Sequence, residues 1–528
     1  MTLASGIFAL WPFHNFQYFL AQGDHGRELY CYKKAMDGAV LYRDFSWLYG
    51  PFFLYYFGIF LKLFGTTIQS ILLAQNLLIL SVGVLIYLIG AVFISPALAY
   101  ICALWYWAYR GVEFFYSYHH SGGLVVILTI LLCTLRYARK PRRAYVYSGF
   151  AGVLVLILTR LNMGLAIFVA YVLSLFLTDL FKKDPLIKQK AFSYIKLSLL
   201  VLAISTAVYW CLVSPLPKYV INQTFPYTKS QLAAVEVSIF GTVLLGFKTL
   251  LRAFSANWQR VFLGLALILS IVQFIILCSR KKLPKEALTR IIVIYTCLTV
   301  FLIFALHEFI GSGVSFRLNW GLPIFMIIVF YTIYYLISLG PKTIFTPTVN
   351  IYIFLVLFCV GFIQISATRK IINSFKVPVQ LLHVGETKIY VAQHPLWMRT
   401  VTDAVGYMKQ HIPEDEKIFS LPHDAIYYFL SGRDGATRQL ALFEHTHIPE
   451  EQELKIIADL EQHQVRWVVI SSRVRSLEFG MGTFGKTHCR ILYKYLKNNF
   501  GVEAQFGDWS VPAGWVGNHG VQILKRKK

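Results

Sequence analysis

The sequence predicts a polytopic α-helical membrane protein with a small α/β domain at its C-terminus. Of the 528 residues, 57% are hydrophobic and only 14% are charged, whereas about a quarter of a soluble protein is charged. Apolar runs of about 20 residues, the length that crosses a bilayer as a helix, recur as far as residue 365. From Ala367 onward, charged residues, prolines and short amphipathic patterns take their place.

The net charge of +24 fits membrane topology and attraction to anionic headgroups. A site for a polyanionic substrate, such as a lipid phosphate, is the alternative. A nucleic-acid partner is not expected, because most basic residues lie in short loops between spans. Lysine and arginine are retained on the cytoplasmic side, so we place four basic loops there. They are 136–143, 182–190, 280–290 and a weaker one around Lys342.

With that orientation the chain is predicted to cross the membrane about 11 times. The N-terminus is cytoplasmic and the tail lies on the outer side. The predicted spans are Met1–Gln22, Gln69–Phe93, Ala97–Phe114, His120–Leu135, Ala144–Thr159, Leu161–Leu180, Ile195–Val213, Val261–Cys278, Ile291–Leu306, Trp320–Leu336 and Val349–Ile365.

Two further apolar segments are not predicted to be spans. Pro51–Phe64 is short for a crossing, and counting it would move every basic loop to the wrong side. We interpret it as a juxtamembrane helix along the outer surface, with Pro51 in its first turn. Val235–Phe254 fails the same test and is interpreted as an interfacial or re-entrant helix.

The tail, residues 367–528, is predicted to be a small α/β domain. Four apolar residues recur there at helical spacing: Val401, Ala404, Val405 and Met408. Strands are expected at Lys417–Leu421, Arg466–Ile470 and Val521–Leu524, and a helix at Pro449–Gln464. Asp424 is expected to cap a short helix that Gly432 ends. The tail contains no phosphate loop, nucleophile elbow or metal motif.

The loop after the first span, residues 21–67, holds two candidate acids. Asp24 follows the span directly, where a carboxylate can accept a proton from a hydroxyl or bind a cation; solvation or capping of the next helix is the alternative. Asp44 adjoins Arg43. Together they could hold a phosphate and orient a substrate, or form an ordinary surface pair of little energetic value.

Further polar residues lie at the outer ends of the predicted spans. Glu113 and His119 share one loop, where a metal site is less expected than simple interfacial polarity. His307 and Arg317 flank a glycine-bearing loop, and Arg160 lies between two spans on the outer side. Such residues can line a cavity or hold an anionic headgroup, or they can extend to the interface.

The first 65 residues resemble a known superfamily. An acid after the first span, then a pattern of the form G-x-x-Y-R-D-F…G-P…L-F-G, is similar to the GT-C superfamily of membrane glycosyltransferases. Within it, the chain is most similar to the bacterial branch related to protein O-mannosyltransferases and lipid A aminoarabinose transferases. The matching residues are Asp24, Gly38, Tyr42–Phe45, Gly50, Pro51 and Leu63–Gly65. The segment 418–433, IFSLPHDAIYYFLSGR, resembles the outer C-terminal domain of many members.

The resemblance implies a GT-C transmembrane module at residues 1–366 and an extracytoplasmic domain at 367–528. It also implies transfer of a sugar from a polyprenyl-phosphate donor to a lipid, glycan or protein acceptor on the outer face. Asp24 takes the role of the family's first-loop acid, as base or acceptor-positioning group, and Arg43 and Arg317 are candidates for the lipid phosphate. The chain departs from the family where His25 replaces a second acid and where Glu113 only loosely matches the second-loop carboxylate.

The expected location is a bacterial inner membrane. No cofactor is required by the motifs, and dependence on a divalent metal stays open. Two other functions compete with glycosyl transfer. A lipid or glycan transporter would show internal repeats and charged, broken mid-membrane helices, which the sequence does not clearly contain. A catalytically inactive envelope assembly protein would tolerate replacement of Asp24.

Overall fold

The computed structural model describes residues 3–4, 6–7, 23–110, 118–212, 284–308, 315–338, 380–384, 387–391, 395–476, 480–513 and 520–527. The chain forms two compact units. The helical unit comprises Met1–Trp11, Leu77–Glu113 and His119–Asn373, and the mixed unit comprises Pro12–Asn76, Phe114–Tyr118 and Ser374–Lys528. The predicted domain boundary, between residues 366 and 367, lies outside the described residues.

The helical unit is built from long apolar helices. Its described helices are α3 (Ile68–Gly90, which begins in the mixed unit), α4 (Pro96–Arg110), α5 (Tyr118–Arg139), α6 (Arg143–Ile157), α7 (Leu161–Phe181), α8 (Ile187–Leu212), α9 (Lys285–Ala305) and α10 (Leu322–Ser338). Among the described helices, α3, α5, α7, α8 and α9 are long and apolar enough to cross a membrane. The chain is therefore a polytopic helical membrane protein, as predicted.

Several helices extend beyond their predicted spans into polar sequence. Helix α8 begins at Ile187 rather than Ile195, and α9 begins at Lys285 rather than Ile291. The apolar run marks only the part of a helix that lipid can surround, whereas lysines in the first turns can reach water. Four predicted segments lie outside the described residues, the first almost wholly: Met1–Gln22, Val235–Phe254, Val261–Cys278 and Val349–Ile365. The number of spans therefore stays a prediction.

A buried carboxylate joins three helices of this unit. Asp179, on α7, accepts hydrogen bonds from Tyr137 Oη on α5 at 2.8 Å and from Tyr194 Oη on α8 at 2.7 Å. Lys190 Nζ lies 3.3 Å from the same side chain. A buried acid is tolerated only when it is hydrogen-bonded and paired, so this cluster specifies how α5, α7 and α8 pack.

The mixed unit begins with α1 (Asp24–Met36) and α2 (Phe52–Phe64). Helix α2 corresponds to the predicted juxtamembrane segment, and Pro51 is its N-cap residue. One side is buried through Phe53, Leu54, Phe57 and Leu61, while Ile59, Leu63 and Phe64 remain at least half exposed. An exposed apolar stripe on a helix too short to cross a bilayer is typical of an interfacial helix. Its position along the membrane surface stays a prediction.

The rest of the mixed unit contains two small sheets. Strands β1 (Gln380–Val384) and β2 (Thr387–Val391) form an antiparallel pair. The second sheet has the order β3-β4-β6-β5, in which β3 (Ile418–Leu421) and β4 (Trp467–Ser471) are parallel and the other pairs are antiparallel. Strands β5 and β6 are Phe500–Phe506 and Val521–Arg526, and the helices are α11 (Pro395–His411), α12 (Ile426–Ser431), α13 (Glu450–Gln462) and α14 (Arg490–Asn499).

Several predictions for the tail agree with this arrangement. Val401, Ala404, Val405 and Met408 lie on α11 and are all buried. The three predicted strands appear as β3, β4 and β6, within one residue at their starts and within two at their ends. Gly432 ends α12 in a left-handed conformation with φ 80°, which costs glycine little because it has no Cβ.

The predicted cap at Asp424 is wrong. The N-cap residue of α12 is Ala425, and no side chain caps the helix. The carboxylate of Asp424 instead accepts a hydrogen bond from Ser471 Oγ at 2.6 Å. Local sequence suggested a cap because aspartate before an apolar helix often caps it. The adjacent parallel strand offers Asp424 a buried partner that local sequence does not reveal.

Candidate functional site

Asp24 is the first residue of α1. The helix follows Gly23, whose φ of 77° suits a residue without a Cβ. A carboxylate in the first turn lies at the positive end of the helix dipole, which favours its ionised form. The Asp24 side chain is 31% exposed, whereas the residues that follow it on α1, from His25 to Tyr32, are buried. Asp24 is therefore an accessible acid on an otherwise buried part of the helix.

Two buried basic groups flank this carboxylate. Arg27 Nη2, one turn later on α1, lies 2.8 Å from Asp24 Oδ1 in an ion pair. His423 Nε2, which comes from the loop after β3, lies 3.2 Å from the same oxygen. Arg27 and His423 are 4% and 2% exposed. Both partners lie within the mixed unit, so the first loop and the tail contribute jointly to the site.

The charges around Asp24 keep it ionised. Burial by itself raises the pKa of the carboxyl, but the Arg27 guanidinium and the hydrogen bond from His423 outweigh that effect and hold the pKa well below its usual value of 3.8. Burial also lowers the pKa of His423 below 6.5, while the bond to Asp24 opposes that shift. Asp24 is therefore an anion throughout the physiological pH range.

The ring of His423 is fixed on both sides. Its Nδ1 lies 3.2 Å from the carbonyl oxygen of Leu440, and its ring packs edge-on against Phe443, with 4.9 Å between centroids. The ring therefore has little freedom to rotate away from Asp24.

The carboxyl ends of β3 and β4 support this histidine. Because the two strands are parallel, the residues that follow each of them meet at one edge of the sheet. Asp424 comes from β3, and Ser471 and Arg473 come from the end of β4 and the turn after it. Arg473 Nη1 lies 3.4 Å from Asp424 Oδ1, and each side chain is only 1% exposed. The loop that carries His423 is thus anchored by a buried ion pair.

Helix α1 is held against the segment 426–438 by several polar contacts. The backbone N–H of Gly435 donates to Tyr30 Oη at 2.8 Å, and the rings of Tyr30 and Tyr428 lie 4.8 Å apart. Lys34 Nζ lies 3.1 Å from Asp434 Oδ2. These contacts bring residues about 400 positions apart in sequence, such as Asp24 and His423, into fixed proximity.

Two glycines, Gly23 just before α1 and Gly26 on its first turn, make this approach sterically feasible. A Cβ at Gly23 would lie 2.1 Å from Cδ2 of His423, and one at Gly26 would lie 2.7 Å from the backbone nitrogen of Ile426. Neither distance is compatible with van der Waals contact. The two glycines thus permit a closeness between α1 and the tail that any other residue would prevent.

The other predicted acid of the first loop, Asp44, has a different environment. Arg43 Nε and Nη2 donate to its two carboxylate oxygens at 2.7 and 3.0 Å. The Arg43 side chain is 70% exposed and that of Asp44 is 35% exposed. The pair lowers the pKa of Asp44 to about 2. Arg43 and Asp44 therefore form a solvent-exposed pair, whereas Asp24 lies among buried partners.

Arg160 belongs to a polar cluster in the helical unit. Its Nε donates to Glu308 Oε1 at 2.7 Å, and Asn162 Nδ2 donates to the same oxygen at 2.7 Å. Arg160 also lies 3.4 Å from His120 Nε2 and 5.8 Å from the ring centre of Trp320. The sequence singled out Arg160 but did not predict Glu308 as its partner.

The remaining predicted residues are placed less fully. Arg317 lies on a 3₁₀ helix, Ser315–Trp320, and is 6% exposed. His307 follows α9, and its Nδ1 lies 2.7 Å from the carbonyl oxygen of Phe304. Glu113 lies outside the described residues. For His119 the structure describes the backbone, within α5, but not the side chain.

The described surroundings of Asp24 do not form a metal-ligand set. Within the described parts of the chain, no group of three or more His, Cys, Asp or Glu side chains could hold a metal ion. A guanidinium also lies against Oδ1 of Asp24, where a cation would meet like charge. Chemically, the site offers an ionised and accessible carboxylate with one oxygen fixed by two basic groups.

Sequence reasoning missed Arg27 and His423. Arg27 lies one turn after Asp24, which is ion-pair spacing on a helix. His423 lies in the segment 418–433 that carried the tail's family resemblance, directly after a predicted strand. Because ligands bind at the carboxyl ends of parallel strands, that position was a usable signal. Its pairing with Asp24 was not predictable from either segment alone.

Comparison with known proteins supports the fold. No family model matches the sequence, and no curated protein matches it. The oligosaccharyltransferase AglB of Archaeoglobus fulgidus, in complex with an inhibitory peptide and a dolichol-phosphate, has a similar structure. The TM-score is 0.51 and the identity 12%, over 97% of this chain and 75% of that one. The structure of the A. fulgidus oligosaccharyltransferase with zinc and sulfate gives a TM-score of 0.50 at 13% identity, over 90% and 68%.

The apo structure of ArnT from Cupriavidus metallidurans gives a TM-score of 0.49 at 13% identity, over 99% of this chain and 97% of that one. AglB, whose structures give the TM-scores of 0.50 and 0.51, is a GT-C superfamily protein. The resemblance found in the first 65 residues is thus confirmed at the level of fold: this chain has the GT-C fold of membrane glycosyltransferases.

Proposed function

We propose that the protein transfers a sugar from a polyprenyl-phosphate donor to a hydroxyl acceptor on the outer face of a bacterial inner membrane. The acceptor is a lipid, a glycan or a protein. The observation that carries the proposal is the environment of Asp24: an ionised, accessible carboxylate after the first predicted span, held by Arg27 and His423, in a chain with the GT-C fold. The structural neighbour AglB is itself described with a dolichol-phosphate.

In the proposed reaction Asp24 orients the acceptor hydroxyl and receives its proton. The acceptor O–H bond breaks as the acceptor oxygen bonds to the anomeric carbon. The bond from that carbon to the phosphate oxygen breaks, and polyprenyl phosphate leaves with the electron pair. Because the low pKa of Asp24 makes it a weak base, it accepts the proton late, when departure of the phosphate has already made the hydroxyl acidic.

The basic residues identified from sequence are assigned to the substrates. Arg43, Arg160 and Arg317 are the candidates for the donor phosphate, since guanidinium groups bind phosphate through paired hydrogen bonds. His307, His119 and Glu113 are candidates for the polar groups of the sugar or acceptor. Asp44 is the second candidate acid, and its exposed pairing with Arg43 favours a role in binding over proton transfer.

A transfer assay with a matched control tests the proposal. Purified full-length protein in lipid would receive a panel of radiolabelled polyprenyl-phosphate sugars, with and without EDTA. Asp24→Asn is expected to lower transfer by about 10²- to 10⁴-fold. Asp37→Asn is the control, because Asp37 ends the same helix and forms an exposed pair with Lys33; it should retain wild-type transfer. Full activity of a well-folded Asp24→Asn protein would refute the proposed role of Asp24.

A further inference from the structure

His423 lies between two groups that can only accept hydrogen bonds. Its Nδ1 is 3.2 Å from the carbonyl oxygen of Leu440, and its Nε2 is 3.2 Å from Oδ1 of Asp24. A carbonyl oxygen and an ionised carboxylate both lack protons. The hydrogen-bond geometry is therefore complete only when both ring nitrogens carry a proton, or when a proton lies on Asp24 itself.

The charges that face the ring come from three elements. Helix α1 contributes Asp24 and the cation Arg27, the turn after β4 contributes the cation Arg473, and the loop that carries His423 contributes Asp424 as the next residue. The two cations and burial disfavour a permanent charge on the ring, whereas Asp24 favours one. The ring is thus placed to respond to the protonation state of Asp24.

The contact also requires a specific arrangement of the tail. His423 follows β3, is 2% exposed and packs against Phe443, and the glycine at position 23 leaves no Cβ to displace its ring. Because a ring held in this way has little freedom to rotate, its Nε2 can hydrogen-bond to only one oxygen of Asp24.

We propose that His423 is a positioning residue for Asp24: it fixes Oδ1 by a hydrogen bond, leaves Oδ2 to the acceptor hydroxyl, and so makes the C-terminal domain part of the catalytic site. This inference rests on the proposed function, in which Asp24 receives the acceptor. The proton that Asp24 takes from the hydroxyl is held on Oδ2 and is then released to water, while Nε2 keeps its own proton in the bond to Oδ1.

The test compares two replacements of His423 in the full-length protein. His423→Phe keeps a planar ring against Phe443 but removes the bond to Asp24. His423→Gln keeps an amide that can donate to Asp24 but does not titrate. We expect His423→Phe to lower kcat by about 10- to 100-fold with little change in the KM for the donor. His423→Gln should recover part of that loss.

The pKa of Asp24 gives a readout that does not depend on turnover. It can be followed by infrared titration of the carboxylate band, assigned by its absence in Asp24→Asn. Because His423 lowers the pKa of Asp24, His423→Phe should raise it, and the acid limb of the rate profile should move to higher pH with it. A purely structural role in folding would not produce this shift.

His463→Phe is the matched control, because His463 is an exposed histidine of the same domain that lies against Lys417; it should change neither kcat nor the titration. If Asp24→Asn abolishes transfer while His423→Phe retains the wild-type rate and an unshifted Asp24 pKa, the positioning role is overturned and the proposed function stands. If the wild type transfers no sugar, the proposed function fails, and the titration still decides whether His423 controls Asp24.

Discussion

Replacement of Gly26 by alanine tests whether the packing of α1 on the tail sets the geometry of Asp24. The added Cβ would lie 2.7 Å from both the Cβ and the backbone nitrogen of Ile426, and 3.0 Å from its Cα. Carbon atoms in ordinary contact are about 3.5–4.0 Å apart, so α1 would have to move by about 1 Å. No change of rotamer at Ile426 relieves the overlap, because these atoms belong to the backbone or are attached directly to it.

That displacement is large compared with the tolerance of the site. The bond from His423 to Asp24 is already 3.2 Å long, and an additional 1 Å or so would take it beyond hydrogen-bonding range. A misplacement of about 1 Å in a reacting group can lower a rate by about 10²-fold. We therefore expect Gly26→Ala to lower kcat by one to two orders of magnitude, in the same direction as His423→Phe.

The assay is sugar transfer by full-length protein in lipid, with thermal unfolding measured in parallel. Gly406→Ala is the matched control, because Gly406 lies on α11 and an added Cβ meets no atom within 4 Å. Alanine there should leave transfer unchanged and stabilise the helix by about 0.5–1 kcal/mol. Wild-type kcat in a folded Gly26→Ala protein would refute the argument that this close approach sets the catalytic geometry.

Three further predictions follow from the described contacts. Since the pKa of Asp24 lies well below 3.8, the carboxylate stays ionised as the pH falls, and kcat/KM should remain on its plateau down to about pH 5; a midpoint above pH 6 would contradict this. Asp424→Ala removes the buried ion pair with Arg473 and should destabilise the folded protein by about 3–5 kcal/mol in thermal or denaturant unfolding. Glu503→Ala, which removes an exposed ion pair, should lower the free energy of unfolding by only about 0–1 kcal/mol. If the two substitutions lowered it equally, the buried pair would contribute no more to stability than the exposed one. In the helical unit, a double-mutant cycle on Arg160 and Glu308 should give a coupling of about 0.5–3 kcal/mol, whereas strict additivity would show that their 2.7 Å contact contributes no energy.

The helices were the most predictable part of the structure. The lipid environment requires long apolar segments with internal hydrogen bonds, so α3, α5 and α7 lie close to their predicted positions. Pro51–Phe64 was identified as a helix distinct from the spans because of its length. The ends of α8 and α9 were less predictable, because lysine-bearing turns continue a helix without contributing to its hydropathy.

The sequence predicted individual residues of the candidate site but not the residues that contact them. Asp24 stood out because a carboxylate directly after the first predicted span can accept a proton or bind a cation, and because it matches the first-loop acid of the superfamily that the sequence resembles. Asp44 stood out equally, and only its exposed pairing with Arg43 distinguishes the two acids. Arg160 was identified, but its partner Glu308 follows another helix, 148 residues later in the chain.

The sequence by itself determined that the chain is a helical membrane protein and where most of the described helices lie. It also named Asp24 as a candidate acid in the first loop, a role that stays a prediction. Composition and periodicity are local properties, and solvation by lipid acts on each segment separately. Only the tertiary structure decided that Asp24 is held by Arg27 and His423, and that Asp424 supports the histidine loop instead of capping a helix. Those contacts depend on the packing of α1 against residues about 400 positions away. Two glycines permit that close packing, and the parallel pairing of β3 with β4 places the loop that carries His423. No local pattern encodes such a contact, because its stability comes from the burial of groups that only the folded chain brings together.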